Sequence, residues 1–471
     1  MHKPRVITGL KFFVVAGLYV LTARLSLFYF APDGSASVFF IAGGFALAML
    51  LRGGKEQFWA ILSGALLLNI LQGKSWLAAM VIAIGSTAGA WLGAVLLRNL
   101  QRFDPSLPTL RDYLLLIGLG GCVACSLPAL IGVSVLWSSE IIGSDAVFTS
   151  LLYWWMGDTL GVILITPLIL VWWHNPNQHL HPKQYAEAGF IIALNILAGQ
   201  LVFLDWFHDI IGDYAKNYWL FLFVSWAAVR LGSRATTSIL VITATQAMFG
   251  LVQQRSNFID PNLGDRHAIN YWFFMVALSV VGMALATYFS ERQRTLNAFR
   301  DQKELLRTLL QALPDVVWLK NTDGIYLMCN HNFERLHGTT EMQIIGKTDN
   351  DFVTAEAANL FRDNDAKAIA SGKPCNYEEW ICLADGSHTG LYETTKTPVF
   401  NSDGTLLGVL GVAHEITQLR EIQTKLRERI KEQACLHAVF RITEDLQKPL
   451  PEVLQTVAEL LPSGWFYPET T

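Results

Sequence analysis

Charged residues are scarce in this chain of 471 residues, where Asp, Glu, Lys and Arg together make up 16%. Hydrophobic residues make up 52% and the mean hydropathy is +0.34, which is too apolar for an ordinary soluble protein. The formal net charge of -4 also gives no support for a nucleic-acid-binding protein, which usually carries a basic patch. We therefore expect the lipid bilayer as a partner, and no nucleic acid.

Cysteine is scarce as well, with six residues in the whole chain. Cys122 and Cys125 form the one closely spaced pair, and they lie inside an apolar run. A zinc or redox interpretation of this pair would need a second ligand pair or a thioredoxin-like context, and the sequence offers neither. We therefore predict no metal site, and small buried thiols at both positions.

The few charges are distributed unevenly along the chain. The first 290 residues or so are rich in Leu, Ala, Gly, Phe and Trp, whereas the remainder is dense in Lys, Arg, Asp and Glu. This shift predicts a membrane domain over residues 1–290, followed by a soluble part. The membrane domain has about ten apolar stretches near spanning length: 7–30, 36–51, 57–72, 76–97, 113–137, 151–173, 187–207, 218–231, 235–252 and 268–289.

The positions of Lys and Arg indicate the orientation of these stretches, because cytoplasmic loops carry an excess of both residues. With the N-terminus inside, the cytoplasmic ends and loops carry twelve of them: Lys3, Arg5, Arg52, Lys55, Arg98, Arg102, Arg111, Lys183, Arg230, Arg234, Arg292 and Arg294. The opposite loops carry four: Lys74, Lys216, Arg255 and Arg266. An even number of spans then predicts a multi-pass membrane protein whose soluble half is cytoplasmic.

The apolar run 151–173 contains a carboxylate, that of Asp158. A carboxylate within a membrane is unfavourable unless it faces the bundle interior and meets a partner or water, so we predict that this side chain points inward. Arg24, in the first apolar run, is a candidate partner. Two interpretations stay open: a polar site involved in sensing, or a buried aspartate that only bonds to neighbouring helices.

Two stretches of this half, "SASVFFIAGGFALAMLLRGGKEQFWAILSGALLLN" (35–69) and "WWMGDTLGVILITPLIL" (154–170), resemble the MASE-type membrane-associated sensor domain, type 1. The second stretch has a W-x-G-D-x-x-G-x-x-x-x-x-P spacing, formed by Trp155, Gly157, Asp158, Gly161 and Pro167. The resemblance covers about residues 7–290 and departs at Phe39–Phe40, where the family would have Trp-Pro. It implies an integral-membrane input module of a signalling protein in the bacterial inner membrane.

Residues 314–417 have a pattern of strands and tight turns. Three Asp-Gly pairs lie between β-prone runs and are strong hairpin signals: Asp323–Gly324, Asp385–Gly386 and Asp403–Gly404. The runs are "DVVWLK", "IYLMCN", "CNYEEWICL", "HTGLYETTKTPVF" and "LLGVLGVAHEI", with a helical insert between the second and the third. Five antiparallel strands with inserted helices predict an α+β domain with one open sheet face.

This order resembles the PAS fold through "LPDVVWLKNTDGIYLMCNHNFERLHG", "IIGKTDNDF", "YETTKTPVF" and "GTLLGVLGVAHEIT". The resemblance implies a sensory pocket that is empty or holds an unidentified small molecule. We predict that its lining includes Trp318, Met328, Phe333, Phe352 and Trp380. No cofactor is predicted, because the G-x-N-C-R-F-L-Q sequence of flavin photosensors is replaced by "GKTDNDF", and a lone His331, His337 or His388 is weak support for haem.

His414 begins a His-Glu-Ile-Thr sequence that is close to the phosphate-accepting box of a sensor histidine kinase. That box requires a histidine on a helix surface, whereas His414 ends the β-prone run "TLLGVLGV", so we predict that it lies where a strand passes into a helix. The terminal Asp-Ile-Thr of the PAS family appears here as Glu415-Ile416-Thr417. We predict that these three residues relay signals to the next helix, with Thr417 capping its free N–H groups.

Helices flank the PAS-like segment. Residues 291–313 have apolar residues interleaved with charges and predict a helical connector, and residues 418–447 predict a signalling helix with an imperfect apolar stripe. The stripe favours a parallel coiled coil in a homodimer, with a helix packed on its own domain as the alternative. Residues 448–471 resemble the opening helix and strand of a GAF-like domain that this sequence is too short to complete.

These patterns predict a multi-domain protein: a polytopic α-helical membrane bundle, an α+β PAS domain and a signalling helix. No GGDEF-like, EAL-like or kinase ATP-binding sequence is visible, so we predict no catalytic residue and leave enzyme activity open. The acidic residues of the PAS-like segment are expected to be solvated surface rather than a metal site: Asp349, Asp351, Asp363 and Asp365.

The resemblances imply a sensory input module that acts on an effector outside this chain. Cyclic-di-GMP synthesis or hydrolysis is the favoured output, and the input half of a sensor histidine kinase is the alternative. A membrane transporter with a regulatory PAS domain is the rival class, although the hydropathy pattern contains no internal repeat that would favour it. The signal itself is not identified by the sequence.

Overall fold

The structure is a computed structural model that describes residues 3–30, 37–100, 103–174, 182–207, 216–253, 255, 258, 267–384, 386–443 and 449–464. The chain divides into two compact units, Met1–Ala298 and Phe299–Thr471. We refer to them as the membrane unit and the PAS unit. This division lies close to the predicted change from an apolar to a charged sequence.

The membrane unit is built from helices. They are α1 Lys3–Phe30, α2 Ile41–Gly53, α3 Glu56–Leu71, α4 Trp76–Asn99, α5 Leu110–Leu115, α6 Ser126–Ser138, α7 Val147–His174, α8 Pro182–Phe203, α9 Trp219–Val252 and α10 His267–Ala312. A π-helical turn, Leu116–Val123, lies between α5 and α6, and α10 continues across the division between the units. Helix α9 is broken at Gly232, whose φ of 74° and ψ of -165° are not helical. The two apolar stretches predicted on either side of this glycine are therefore the two halves of α9.

Among the described residues, seven helical segments are long and apolar enough, by length and composition, to cross a membrane: Leu10–Phe30, Trp76–Asn99, Leu110–Ser138, Ser144–Trp173, Gln184–Phe203, Trp219–Val252 and His267–Ala312. Helices α2 and α3 are also apolar but have only 13 and 16 residues. At the usual rise per residue they extend roughly 20 and 24 Å, less than a hydrocarbon core of roughly 30 Å. The chain is a multi-pass membrane protein, and its number of complete spans stays a prediction.

Helix α7 packs on the start of α2 with its backbone, because glycine occupies the contact positions. A Cβ atom added to Gly157 would collide with the Ser37 carbonyl, and one added to Gly161 would collide with the Phe40 carbonyl. The Phe40 N–H donates to the Gly157 carbonyl at 3.0 Å. The two glycines of the W-x-G-D-x-x-G spacing therefore bring two backbones into direct contact, with Asp158 beside that contact.

The proline of the same spacing has a matching partner. Pro167 lies inside α7 and has no N–H, so the Ile163 carbonyl one turn earlier loses its helical donor. The hydroxyl of Tyr113, a fully buried residue of α5, donates to this carbonyl at 3.3 Å. A residue far away in the sequence thus satisfies the backbone group that the proline leaves free.

The PAS unit contains a five-stranded antiparallel sheet in the order β2-β1-β5-β4-β3. The strands are β1 Val316–Asn321, β2 Tyr326–Cys329, β3 Cys375–Cys382, β4 Thr389–Phe400 and β5 Leu406–Glu415. Between β2 and β3 lie α11 His331–His337, α12 Glu341–Ile344, a 3-10 turn Asp349–Asp351 and α13 Ala355–Ser371. The predicted α+β arrangement is confirmed.

Asp-Gly turns connect the strands as predicted. Gly324 and Gly404 have φ values of 80° and 84°, which glycine adopts without a steric penalty, and they lie in the β1–β2 and β4–β5 turns. In the third pair, Asp385 lies outside the described residues. The hairpin signals therefore located two of the sheet's turns from local sequence alone.

Two further helices follow the sheet: α14 Thr417–Thr443 and α15 Leu450–Leu460, the latter continued by a 3-10 turn Leu461–Gly464. The strand predicted for a GAF-like domain falls on residues outside the described part of the chain. The predicted apolar stripe of α14 is more than half exposed at each position: Leu419, Ile422, Leu426, Ile430, Leu436 and Phe440. The homodimer through this helix stays a prediction.

Candidate functional site

Asp158 of α7 borders a small cavity inside the membrane unit. Its side chain faces the bundle interior as predicted, because the residue is only 6% exposed. The cavity has a volume of about 20 Å³, which is enough for one water-sized molecule. The Asp158 Oδ1 atom lies against the first turn of α2, 2.8 Å from where a Cβ on Gly43 would be. The side chain of Trp154, one turn earlier on α7, interacts with the carboxylate.

Other helices contribute polar groups to the same cavity. Tyr19 of α1 and Ser86 of α4 line it and interact through their side chains, and Cys125, just before α6, lines it as well. The sequence singled out Asp158 but missed Tyr19 and Ser86. Tyrosine and serine are common in apolar helices, and nothing local indicates which of them face a particular carboxylate.

Arg24 is not the partner of Asp158. Arg24 is exposed on α1, whereas Tyr19 of the same helix is 2% exposed and lines the cavity. Five residues along an α-helix correspond to a rotation of about 140° from the starting face, so the two side chains point in different directions. Arg24, the candidate partner, therefore does not face the cavity of Asp158.

The five residues predicted to line a PAS pocket do not all lie together. Trp318, Phe333 and Phe352 belong to one interior cluster, with 5.3 Å between the ring centroids of Trp318 and Phe333. Met328 is half-buried outside this cluster. Trp380 is 68% exposed, because side chains alternate along β3 and its position faces outward, so its assignment to the pocket is wrong. It lines an open groove along α14 instead.

Two lysines and two aspartates form a network inside the PAS unit, which we call the buried ion network: Lys320, Asp349, Asp365 and Lys396. Each is at most 8% exposed. Lys320 Nζ lies 2.6 Å from Asp349 Oδ2 and 3.3 Å from Asp365 Oδ2. Lys396 Nζ lies 2.7 Å from Asp365 Oδ1 and donates to the Phe361 carbonyl at 2.9 Å. The network connects β1 and β4 of the sheet to the 3-10 turn and α13.

This network corrects the expectation that all four acidic residues are solvated. Asp351 and Asp363 are exposed, but Asp349 and Asp365 are buried and face lysines. The sequence placed these carboxylates on a loop and a helix, and only the packing of those elements on the sheet brings lysines to them. Among the described residues, no group of three or more His, Cys, Asp or Glu side chains could hold a metal ion.

The side chains around the network have altered pKa values. Burial, followed by the nearby Asp349, raises the pKa of Tyr326 well above its usual range, so its hydroxyl stays protonated and donates to Asp349 Oδ1 at 2.6 Å. Burial also lowers the pKa of Lys396, against the opposing effect of Asp365. His337 packs on Phe333, with ring centroids 4.5 Å apart. Burial lowers the His337 pKa to about 4, so this imidazole is neutral at physiological pH.

The three predicted relay residues lie where β5 ends and α14 begins. The Thr417 hydroxyl accepts from the Leu391 N–H of β4 at 2.9 Å and donates to Glu415 Oε1 at 3.0 Å. The Ile416 N–H donates to the Leu391 carbonyl at 2.8 Å. Glu415 also pairs with His388, 2.8 Å away. Burial favours a higher Glu415 pKa, but the hydrogen bonds from His388 and Thr417 outweigh it and the pKa is lowered.

This junction differs in one respect from the prediction. Thr417 was expected to cap the free N–H groups of the helix that follows, but its hydroxyl bonds to strand β4 instead. The neighbouring strand reaches the hydroxyl because β4 and β5 are paired up to Glu415. The first turn of α14 is consequently fastened to the sheet by both the backbone and a side chain.

His414 lies on β5, one residue before its end. Its Nδ1 atom is 2.6 Å from Asp315 Oδ1, and its side chain is 62% exposed. The prediction that this histidine marks the passage from a strand to a helix is confirmed. It is not on a helix surface, which a phosphate-accepting box would require.

Comparisons with known proteins agree with this architecture. The family model described as MASE1 matches residues 10–293, and a model described as a PAS fold matches residues 310–421. The aerobic respiration control sensor protein ArcB of Escherichia coli is 28% identical over 149 residues, which are 32% of this chain and 19% of that protein.

Two further relatives have similar identity. The methanogenesis regulatory histidine kinase FilI of Methanothrix harundinacea is 25% identical over 164 residues, 34% of this chain and 18% of that protein. A diguanylate cyclase of Vibrio cholerae is 26% identical over 174 residues, 34% of this chain and 54% of that protein. The chain thus spans less than a fifth of the length of ArcB and FilI.

Proposed function

Because this chain belongs to the MASE1 family, we propose that it is the sensory input module of a bacterial signalling protein in the inner membrane. The membrane unit receives the signal and the PAS unit, on the cytoplasmic side, passes it through α14 to an effector. The PAS unit contributes a second input through an unidentified small molecule. Two copies associate in parallel through the exposed stripe of α14.

The main support for this proposal is the set of bonds that connects the start of α14 to the sheet. Thr417 and Ile416 both bond to Leu391 of β4, and Arg420 in the first turn of α14 forms an ion pair with Glu378 of β3. Displacement of these strands therefore displaces the start of the helix. A packed junction with two discrete arrangements is the kind of element that can carry coupling between distant sites.

Synthesis or hydrolysis of cyclic-di-GMP is the output we favour, supported by the diguanylate cyclase relative, of which the chain covers 54%. A histidine kinase effector is the second candidate, supported by the likeness to FilI. Both outputs are compatible with the same input module, since a helix leaving a PAS domain can be continued by either catalytic domain.

Fusing residues 1–443 to the catalytic domain of a diguanylate cyclase tests the input role, with cellular cyclic-di-GMP as the readout. We expect a fusion that lacks residues 3–289 to differ several-fold in output from the intact fusion. We also expect the double substitution Glu415→Ala and Thr417→Ala to abolish that difference, because it removes the hydroxyl of Thr417 that bonds to Leu391 of β4 and the carboxylate that bonds to this hydroxyl. A parallel fusion to a histidine kinase core, assayed for phosphohistidine, compares the two effector classes.

The chain offers a matched control for the double substitution. Asp403 and Thr405 form another acid–threonine pair, with the Thr405 hydroxyl donating to Asp403 at 2.6 Å, but they lie in the β4–β5 turn at the opposite end of β5 from α14. Replacing both with alanine should leave the difference between the fusions intact. Equal outputs from intact and truncated fusions, with either effector, would contradict the proposed function.

A further inference from the structure

The carboxylate of Asp158 has no cation to neutralise it among the residues that the structure describes. The residues around its cavity are uncharged apart from Asp158 itself, and the other titratable side chains among them are Tyr19 and Cys125. The described ion pairs of the membrane unit do not include Asp158. An isolated ionised carboxylate is strongly unfavourable away from water, whereas its neutral acid form is tolerated.

The size of the cavity limits what can neutralise this group. A volume of about 20 Å³ accepts one water molecule and excludes organic ligands. The site contains one carboxylate, while a divalent cation is usually held by six or more oxygen ligands that include several carboxylates. Among the described residues no cluster of three metal-ligating side chains exists. A proton, which needs no coordination shell, fits both the volume and the single charge.

The surrounding polar groups suit a carboxylic acid and one water molecule. A buried water typically makes about three hydrogen bonds, and three residues with polar side chains, Tyr19, Ser86 and Asp158, line the cavity. The Trp154 side chain, one turn earlier on α7, interacts with the carboxyl group. The π-helical turn Leu116–Val123 contributes Gly120 to the lining, and π-bulges recur at functional sites.

We propose that the Asp158 cavity is a proton-binding site of the membrane unit, in which Asp158 takes up one proton from a hydronium ion of the solution, relayed by a single water molecule that Tyr19 and Ser86 hold and that stays neutral. Proton uptake forms the O–H bond of a neutral carboxylic acid, and release returns the proton to water. This inference deepens the proposed sensory function. Proton binding itself does not depend on that function, whereas an effect of proton binding on signalling does. The site lies beside the α2–α7 backbone contact, so the charge of Asp158 acts directly on that contact.

Infrared difference spectroscopy of the whole chain in lipid nanodiscs, recorded over a pH series, tests the proposal. A protonated carboxyl group has a carbonyl stretch that an ionised one lacks. We expect a pH-dependent band of this kind in the unmodified chain and its complete loss in Asp158→Asn. The band should persist in Asp112→Asn, the matched control, because Asp112 is another buried aspartate of the membrane unit that instead accepts hydrogen bonds from Thr109 and the Asp104 N–H.

Two additional measurements complete the test. The first still applies if Asp158→Asn does not fold, and the second distinguishes proton binding from binding of a metal cation. Tyr19→Phe and Ser86→Ala keep the carboxyl group and remove one hydroxyl each, so we expect each to shift the frequency of the band. Replacing Na⁺ with choline at constant pH should leave the band unchanged. The proposal is overturned if no band is assignable to Asp158, if neither hydroxyl variant shifts it, or if Na⁺ diminishes it.

The spectroscopic result is independent of the signalling result. A band that is lost in Asp158→Asn establishes proton binding even if the same substitution leaves the output of the fusion protein unchanged. An unchanged output would contradict only a role of Asp158 in sensing. Conversely, an output that responds to the membrane unit while Asp158 stays ionised at every pH would support the sensory function and remove the proton site.

Discussion

Asp158 of the membrane unit and Asp365 of the PAS unit are buried to a similar degree, with 6% and 8% of each residue exposed, but their surroundings differ. Asp365 lies 2.7 Å from the Lys396 ammonium group and 3.3 Å from that of Lys320. Asp158 borders a cavity that Tyr19 and Ser86 also line, and the described residues place no cation within ion-pair distance of it. One unit compensates buried charge with opposite charge, and the other surrounds a single carboxyl group with neutral donors.

The difference follows from where each unit uses its basic residues. In the membrane unit two of them act at helix ends: Arg98 donates to the Leu50 and Leu51 carbonyls at 2.6 and 2.8 Å, and Arg52 at the end of α2 lies 3.9 Å from the ring centroid of Trp173. A long basic side chain is more stable near the membrane–water interface than in the hydrocarbon core. A carboxylate inside such a bundle is therefore more readily neutralised by a proton than by a lysine.

Breaking the buried ion network should have the largest effect on stability. Lys396→Met leaves Asp365 buried with Lys320, at 3.3 Å, as its remaining cation, and removing one partner of a buried ion pair typically costs 3–5 kcal/mol. We expect a loss of about 3–5 kcal/mol in the local stability of the sheet. Hydrogen exchange of the β1 and β4 amides in the full chain, followed by mass spectrometry, measures this loss.

Two variants define the cause of that loss. Lys367→Met removes an exposed lysine of α13 and should change the stability by less than about 0.5 kcal/mol. Adding Asp365→Asn to Lys396→Met should recover part of the loss, because the buried charge is removed together with its partner. A double variant that is less stable than Lys396→Met alone would show that the ion pair is not the origin of the effect.

Disturbing the α2–α7 backbone contact beside Asp158, without changing any charge, should have an intermediate effect on stability. Gly161→Ala introduces a methyl group that collides with the Phe40 carbonyl, so α2 and α7 must separate. Overpacking of this kind usually costs about 1–3 kcal/mol, and we expect a lower thermal denaturation midpoint in nanodiscs. Gly189→Ala on α8, where no atom lies within 4 Å of the added carbon, is the control. Equal midpoints for both variants would mean that the close backbone contact is not required.

Near neutral pH, the smallest expected effect on stability is a dependence on pH. Burial holds the His337 pKa at about 4, against an ordinary value of 6.5, so between these values the unfolded chain binds a proton that the folded domain does not. The stability of the PAS unit should therefore be complete above about pH 6.5 and decrease as the pH falls towards 4. Hydrogen exchange at a series of pH values measures this slope.

His337→Gln should flatten the slope, because glutamine does not titrate in this range. His331→Gln is the control, since the His331 side chain is 66% exposed and pairs with Glu334. An unchanged slope in His337→Gln would exclude this imidazole as the source. A slope that disappears in His331→Gln would assign it to the exposed ion pair instead.

Much of the fold could be predicted because its determinants are local. The change from apolar to charged sequence, the β-prone runs separated by Asp-Gly pairs, and the position of His414 at the end of a strand all depend on neighbouring residues. The two candidate sites were only partly predictable. Asp158 could be recognised because one carboxylate in an apolar run is conspicuous, whereas Trp380 was wrongly placed because aromatic character does not specify which face of a strand is covered.

The sequence by itself determined which segments are helices and strands, where two of the hairpin turns lie, and that Asp158 must face inward, because hydropathy, periodicity and turn chemistry act over a few residues. The tertiary structure alone decided the partners. Lys320 is buried because Asp349 and Asp365, 29 and 45 residues away, meet it across the domain. Asp158 shares its cavity with Tyr19 rather than Arg24 because the packing of α1 presents one of its faces to the cavity. Such pairings depend on the relative rotation and register of whole elements, which only the packed core specifies.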